Sequence, residues 1–162
     1  MESEILIKVV LLNHIYSAGL NSNPPLEENK DKKRHVDVYE MAKRLSTIAA
    51  DINTSFHDES EPYVAVNKII DLFSDECYYK PYSFATKYCN FHNPKKYPIA
   101  DSFSKGVLYN YFERKHKQAL FNDYGEFCKI YKRFKCSFIE SFSVKEIDKF
   151  LWMFGKENKM KI

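Results

Sequence analysis

The sequence predicts an all-α fold, a compact single-domain bundle of about seven helices over residues 1–162. Apolar residues recur at helical spacing in successive segments, and prolines or capping residues separate those segments. No segment shows the sustained alternation of apolar and polar residues that is typical of strands. The length of 162 residues suits one ordinary domain with a continuous core, so we expect one principal site.

Helical periodicity is clear in three segments of the first half, at residues 4–16, 36–52 and 62–74. Pro62 suits the first turn of the third helix. Between the first two segments, residues 20–35 combine prolines with mixed charges and have little to bury, so we expect an exposed loop there.

The fourth and fifth helices are predicted on the two sides of a short connection. Pro81 precedes the fourth helix, which should end near His92 because Pro94 disfavours a helical conformation at the residue before it. Asp101 is well placed to cap the N-terminus of the fifth helix.

Capping-box spacings mark the starts of the last two helices. Asp123 is followed by Glu126, and Ser143 is followed by Glu146, in each case three residues later. Gly155 is a plausible end for the seventh helix.

The overall charge is only mildly basic and does not by itself require a polyanionic partner. The chain has 25 basic and 22 acidic side chains, for a formal net charge of +3. Its four cysteines include no C-x-x-C pair, so we interpret them as reduced thiols and expect no metal site. The N-terminus lacks the basic segment of a signal peptide, and the apolar run 5–12 is too short to cross a bilayer. We expect a cytoplasmic protein with no membrane association.

Lys87 is the first candidate functional residue, because it lies at the edge of an aromatic helix face. Phe84, Tyr88 and Phe91 share that face, and Lys87 is about 40° from Phe91 at 100° per residue. Desolvation there would favour the neutral amine, which is the nucleophile in Schiff-base chemistry. The alternative is that Lys87 extends to water beside the aromatic face. Asp101 likewise has an alternative role as a helix cap alone.

Two short motifs around these residues resemble DNA glycosylases of the helix-hairpin-helix superfamily. Residues 96–101, Lys-Tyr-Pro-Ile-Ala-Asp, followed by Val107-Leu108, resemble the Phe-Pro-hydrophobic-x-Asp segment of adenine DNA glycosylases. Thr86-Lys87 resembles the threonine-lysine pair of 8-oxoguanine DNA glycosylases. Residues 82–101 together with 146–152 also resemble a family of small bacterial 8-oxoguanine-glycosylase-like proteins.

The resemblance implies an all-α helix-hairpin-helix fold and a role in DNA repair. It implies that Lys87 attacks the sugar anomeric carbon of a flipped-out nucleotide and that Asp101 stabilises the developing sugar cation. The four-cysteine iron–sulfur spacing of some relatives is absent, so we expect no cofactor.

Basic side chains in the second half of the chain are candidates for contacts with nucleic-acid phosphates. The alternative is that they form solvated helix faces whose neighbouring aromatic residues belong to the core. The candidates are Arg114, Lys115, Lys117, Lys129, Lys132 and Arg133.

The leading hypothesis is a DNA glycosylase-like protein that binds DNA or RNA, with enzymatic activity left open. The alternative is a non-catalytic helical interaction or nucleic-acid-binding domain, accessory to a bacterial defence or repair system, with a protein partner. A shared cleft of Lys87 and Asp101 with a basic rim would favour the first hypothesis. We expect Trp152 to pack the last helix onto the bundle, with base stacking as the alternative. The sequence leaves the oligomeric state open.

Overall fold

Seven α-helices and no strand are present in the parts of the chain that the computed structural model describes, namely residues 2–14, 38–59, 61–73, 81–112, 114, 120, 123–138 and 141–160. The prediction of an all-α fold is thereby confirmed. The loop predicted at residues 20–35 lies outside the described residues. The helices are α1 (Glu2–His14), α2 (Val38–His57), α3 (Pro62–Asp71), α4 (Tyr82–His92), α5 (Ser102–Tyr111), α6 (Tyr124–Phe138) and α7 (Val144–Glu157).

The predicted helix starts have the expected capping interactions. Ser143 and Glu146 form a reciprocal capping box at α7. At the start of α6, the Glu126 backbone N–H donates to Asp123 Oδ1 at 3.0 Å. Side-chain acceptors thus satisfy backbone donors that the first turn of a helix leaves without a partner.

The second helix is longer than its sequence pattern predicts, because tertiary packing continues beyond Ile52. It ends at His57, and Phe56 in its last turn is fully buried. The Phe56 ring stacks on the His92 ring of α4 with the centroids 4.4 Å apart. Because the residues directly after Ile52 are polar, the sequence pattern does not reveal this contact.

The core is rich in aromatic side chains. Its helices pack as α1 on α2, α3 on α4 and α5 on α7. The largest fully buried aromatic side chains are Phe56, Phe73, Phe84, Tyr97, Tyr124 and Phe127. Within the described ranges, no helix is both long and apolar enough to cross a membrane.

Gly155 allows α7 to approach α5 closely, which corrects its predicted role as a helix end. The helix continues to Glu157, and a Cβ at Gly155 would lie 3.1 Å from the Phe103 backbone oxygen and 3.1 Å from Val107 Cγ2. Gly155 therefore allows α7 to pack against α5 and does not end the helix.

We expect Gly155→Leu to lower the free energy of unfolding by about 1–3 kcal/mol, because the added atoms overpack the contact between α5 and α7. Urea denaturation measures this change. The matched control is Glu157→Leu, which places the same side chain at an exposed position of the same helix. Equal stability of the two variants would contradict the packing role.

Candidate active site

A cleft of about 600 Å³ lies between α4, the connection that follows it, the start of α5 and α7. Lys87 and Asp101, the two residues singled out in the sequence, both line it. Lys87 lies in α4, and Asp101 caps the start of α5. The full lining is Lys87, Asn90, Ile99, Asp101, Phe103, Ser104, Lys145, Asp148, Lys149, Trp152 and Lys156.

The connection between α4 and α5 is held by side chains rather than by regular secondary structure. The Ala100 N–H donates to Thr86 Oγ1 at 3.2 Å, which joins the residue before Asp101 to the residue before Lys87. The buried Tyr97 hydroxyl donates to the Ser55 carbonyl of α2 at 2.8 Å. Because both contacts are buried, they fix the position of Asp101 relative to α4.

Asp101 caps α5 and also faces the cleft. Its Oδ1 accepts from the N–H groups of Phe103 at 3.0 Å and Ser104 at 2.9 Å, and the Ser104 hydroxyl accepts from the Asp101 N–H at 3.0 Å. The predicted cap is therefore present as a full capping box. Both hydrogen bonds use one carboxylate oxygen, and Asp101 is only 8% exposed.

Lys87 is buried rather than extended into water. It is 8% exposed, and burial lowers its pKa, while the neighbouring Asp101 carboxylate acts in the opposite direction. A lowered pKa increases the fraction of neutral amine near neutral pH. This is the environment that an amine nucleophile needs.

Lys105, one turn into α5, is a second buried lysine that the sequence interpretation missed. Burial lowers its pKa to about 8, against the influence of Asp101, and its Nζ lies 5.0 Å from the centroid of the Tyr82 ring. It does not line the cleft. Of these two buried lysines, Lys87 is therefore the one that lines the cleft.

Asp148 of α7 was also missed, although it lies in the cleft wall. It is 8% exposed, its Oδ1 accepts from the Ile99 N–H at 3.2 Å, and its Oδ2 accepts from the Asn90 amide at 3.2 Å. Burial raises its pKa to about 7. A sequence clue existed, because Asp148 is three residues before the buried Leu151 and so lies near the apolar face of its helix.

Trp152 lines the cleft and is 43% exposed, while its contact with Phe103 joins α7 to α5. Its ring meets the Phe103 ring edge-on, with the centroids 6.4 Å apart. Lys156 Nζ lies 4.6 Å from the Trp152 ring centroid. Together with Lys145 and Lys149, Lys156 gives the mouth a basic rim.

The described basic residues that were predicted for phosphate contacts lie outside this cleft. Lys129 and Lys132 line a second groove, of about 750 Å³, together with acidic side chains that include Asp123 and Glu126. Lys129 pairs with Glu126 at 2.5 Å, and the Arg133 guanidinium lies 5.1 Å from the centroid of the Phe112 ring.

Of the remaining candidates, Arg114 is exposed with a φ of 63°, and Lys115 and Lys117 lie outside the described residues. None of the four candidates that the structure describes, Arg114, Lys129, Lys132 and Arg133, lines the cleft of Lys87.

His92 belongs to the core rather than to the cleft. Besides stacking on Phe56, it lies near Tyr88, with the ring centroids 5.0 Å apart, and burial lowers its pKa to about 4. Its Nε2 is buried and has no hydrogen-bond partner among the described residues. In that same part of the chain, no group of His, Cys, Asp or Glu side chains is arranged to hold a metal ion.

Comparison with known proteins places this all-α chain in a family. The chain belongs to the HI_0787 N-terminal domain family, whose model matches residues 2–96. It is 45% identical over 78 residues to an uncharacterized protein of Haemophilus influenzae, a match that covers 47% of this chain and 37% of the relative. The match thus spans little more than a third of the relative's length. No solved structure matches.

The family match contains only part of the cleft. Residues 2–96 include α1 to α4 and therefore Lys87, whereas Asp101 and Asp148 follow the matched segment. The description of the family names a domain and no activity, so the function has to be argued from the cleft itself.

Proposed function

We propose that this protein is a bacterial DNA glycosylase-like enzyme of the helix-hairpin-helix type, acting in DNA repair. In this proposal, Lys87 and Asp101 act on the sugar of a nucleotide held in the cleft. One observation carries the proposal, namely that these two residues line the same cleft, whose mouth has a basic rim. The volume of about 600 Å³ lies within the range of about 300–1,000 Å³ that is common for ligand pockets.

The chemistry assigns one task to each residue. The lone pair of the neutral Lys87 amine forms a bond to C1′ as the bond from C1′ to the base breaks. The base leaves with the electron pair of the broken bond and takes a proton from solvent. The resulting ammonium gives up one proton, the nitrogen lone pair forms the C=N bond as the C1′–O4′ bond breaks, and O4′ takes a proton from solvent, which leaves a protonated imine. The Asp101 carboxylate stabilises the positive charge that develops on the sugar.

Two features of Lys87 and Trp152 support these tasks. Burial lowers the pKa of Lys87, which increases the fraction of neutral amine. The half-exposed Trp152 indole offers an aromatic surface to a base that has left the duplex stack.

Borohydride trapping tests the proposal, because reduction of the imine leaves a permanent bond between protein and DNA. We expect the wild-type protein to form an adduct with an oligonucleotide containing an abasic site, and with at least one of a panel of modified bases that includes 8-oxoguanine. Lys87→Met keeps the length of the side chain, removes the amine and should abolish the adduct. Lys105→Met is the matched control, because it removes the other buried lysine and should leave the adduct unchanged.

Three outcomes oppose the proposal. Absence of any adduct together with absence of new abasic sites would remove the excision activity. An adduct that persists in Lys87→Met would assign the nucleophile to another residue. Binding of DNA without any adduct would favour the alternative, a non-catalytic nucleic-acid-binding or interaction domain.

A further inference from the structure

Three lysines lie on one face of α7, at the mouth of the cleft. At 100° per residue, Lys149 is about 40° and Lys156 about 20° from Lys145 around the helix axis. All three are exposed, and all three line the cleft. The sequence interpretation did not single out any of them.

The acidic side chains of α7 leave this face positively charged. Glu146 is held at the helix start, where its carboxylate accepts from the Ser143 N–H at 2.8 Å. Asp148 is buried and hydrogen bonded in the cleft wall. Among the described residues, none forms an ion pair with Lys145 or Lys149.

The spacing of the lysines suits a chain of phosphates rather than a single phosphate group. With a rise of about 1.5 Å per residue, Lys149 is about 6 Å from Lys145 along the axis, and Lys156 is about 10 Å further. Successive phosphates of a nucleic-acid strand present charges at several points over such a length. A free nucleoside has no phosphate, and a mononucleotide would contact only some of the three lysines.

We propose that α7 is the strand-binding helix of this protein, with Lys145, Lys149 and Lys156 contacting phosphates of a DNA strand that crosses the mouth of the cleft. The inference rests on the proposed function, because the nucleotide inside the cleft belongs to that strand. The substrate class is then a polynucleotide. The inference also gives the phosphate contacts to α7 rather than to the basic residues of α6, where Glu126 pairs with Lys129.

The dependence of the DNA affinity on salt concentration reports the number of phosphate contacts. Fluorescence anisotropy with a labelled single-stranded oligonucleotide and with its duplex gives the slope of log K against log salt concentration. In the combined variant Lys145→Gln, Lys149→Gln and Lys156→Gln, we expect the slope to become shallower by about 2 for the single strand and about 3 for the duplex. The form of DNA that the wild type binds more tightly identifies the preferred strandedness.

The matched control removes the same charge from α6, as Lys129→Gln, Lys132→Gln and Arg133→Gln. Its slope should equal that of the wild type. An unchanged slope in the α7 variant, an equal change in both variants, or failure of the wild type to bind DNA would overturn the inference. Circular dichroism checks that both variants fold, and if the combined α7 variant does not, each single α7 substitution should still make the slope shallower by about 0.7–0.9.

Trapping of the α7 variant at low salt separates this inference from the proposed chemistry. An adduct that forms together with an unchanged slope would remove only the role of α7. A slope that changes as expected in a protein whose wild type forms no adduct would remove only the excision chemistry.

Discussion

Asp148→Asn is expected to change a nearly flat pH dependence of folding stability between about pH 4 and pH 6.5 into one that rises with pH. In the wild type, burial raises the pKa of Asp148 from its ordinary value of 3.8 to about 7. Between those values the folded protein holds a proton that the unfolded chain releases. The contribution of Asp148 to stability therefore falls as the pH rises through this range. The difference of about 3 pH units corresponds to a loss on the order of 4 kcal/mol.

His92 contributes the opposite slope, because burial lowers the pKa of its imidazole from 6.5 to about 4. Between those values the unfolded chain binds a proton that the folded protein excludes, so stability rises with pH. In the wild type the two slopes oppose each other. Because the asparagine side chain in Asp148→Asn does not titrate, the slope from His92 remains, and stability should rise from pH 4 to pH 6.5.

Urea denaturation at a series of pH values measures both slopes. The slope is the decisive quantity, because the asparagine also alters the hydrogen bonds with Asn90 and Ile99 at every pH. His92→Phe is the complementary variant, since it keeps an aromatic ring against Phe56 and should leave a stability that falls with rising pH. If Asp148→Asn has the same pH profile as the wild type, Asp148 does not titrate as described.

The second large effect is expected at Asp101, where charge and capping can be separated. Asp101→Asn keeps an oxygen that caps α5, so stability should change little. It removes the negative charge that, in the proposed mechanism, stabilises the sugar cation. Under the proposed mechanism, we expect the single-turnover rate of imine formation to fall about 10²–10³-fold, the scale found when one preorganised electrostatic contact is lost.

Asp101→Ala provides the comparison, because it removes both charge and cap. We expect a similar loss of rate and, in addition, a loss of about 1 kcal/mol in the free energy of unfolding. Trapping rates and thermal denaturation of the two variants separate these contributions. A normal rate in Asp101→Asn would reduce Asp101 to a helix cap, which was the alternative interpretation of the sequence.

The local features of the fold could be predicted from the sequence, because short-range interactions determine them. Ser143 and Asp101 each cap the helix that follows, and proline sets the start of α3. The end of α2 could not be predicted in this way. Phe56 remains helical because it packs on His92, a contact that joins residues far apart in the chain.

In the candidate site, too, residues with a local signal could be predicted and residues placed by distant contacts could not. Lys87 and Asp101 were found from the edge of an aromatic face, a capping position and the resemblance to glycosylases. Asp148 was not found, because its burial depends on Asn90 and Ile99, which are 58 and 49 residues earlier. The predicted basic residues were chosen by local charge density, which does not reveal that Lys129 pairs with Glu126 or that α7 forms the rim of the cleft.

The contacts of Asp148 also determine when the site can form. A chain is synthesised from its N-terminus, and contacts between distant segments close later than local ones. The helix that carries Lys87 therefore leaves the ribosome well before α7, the helix that completes the outer wall of the cleft. During synthesis, Lys87 lacks the complete cleft until α7 docks, so the complete cleft exists only in the folded protein.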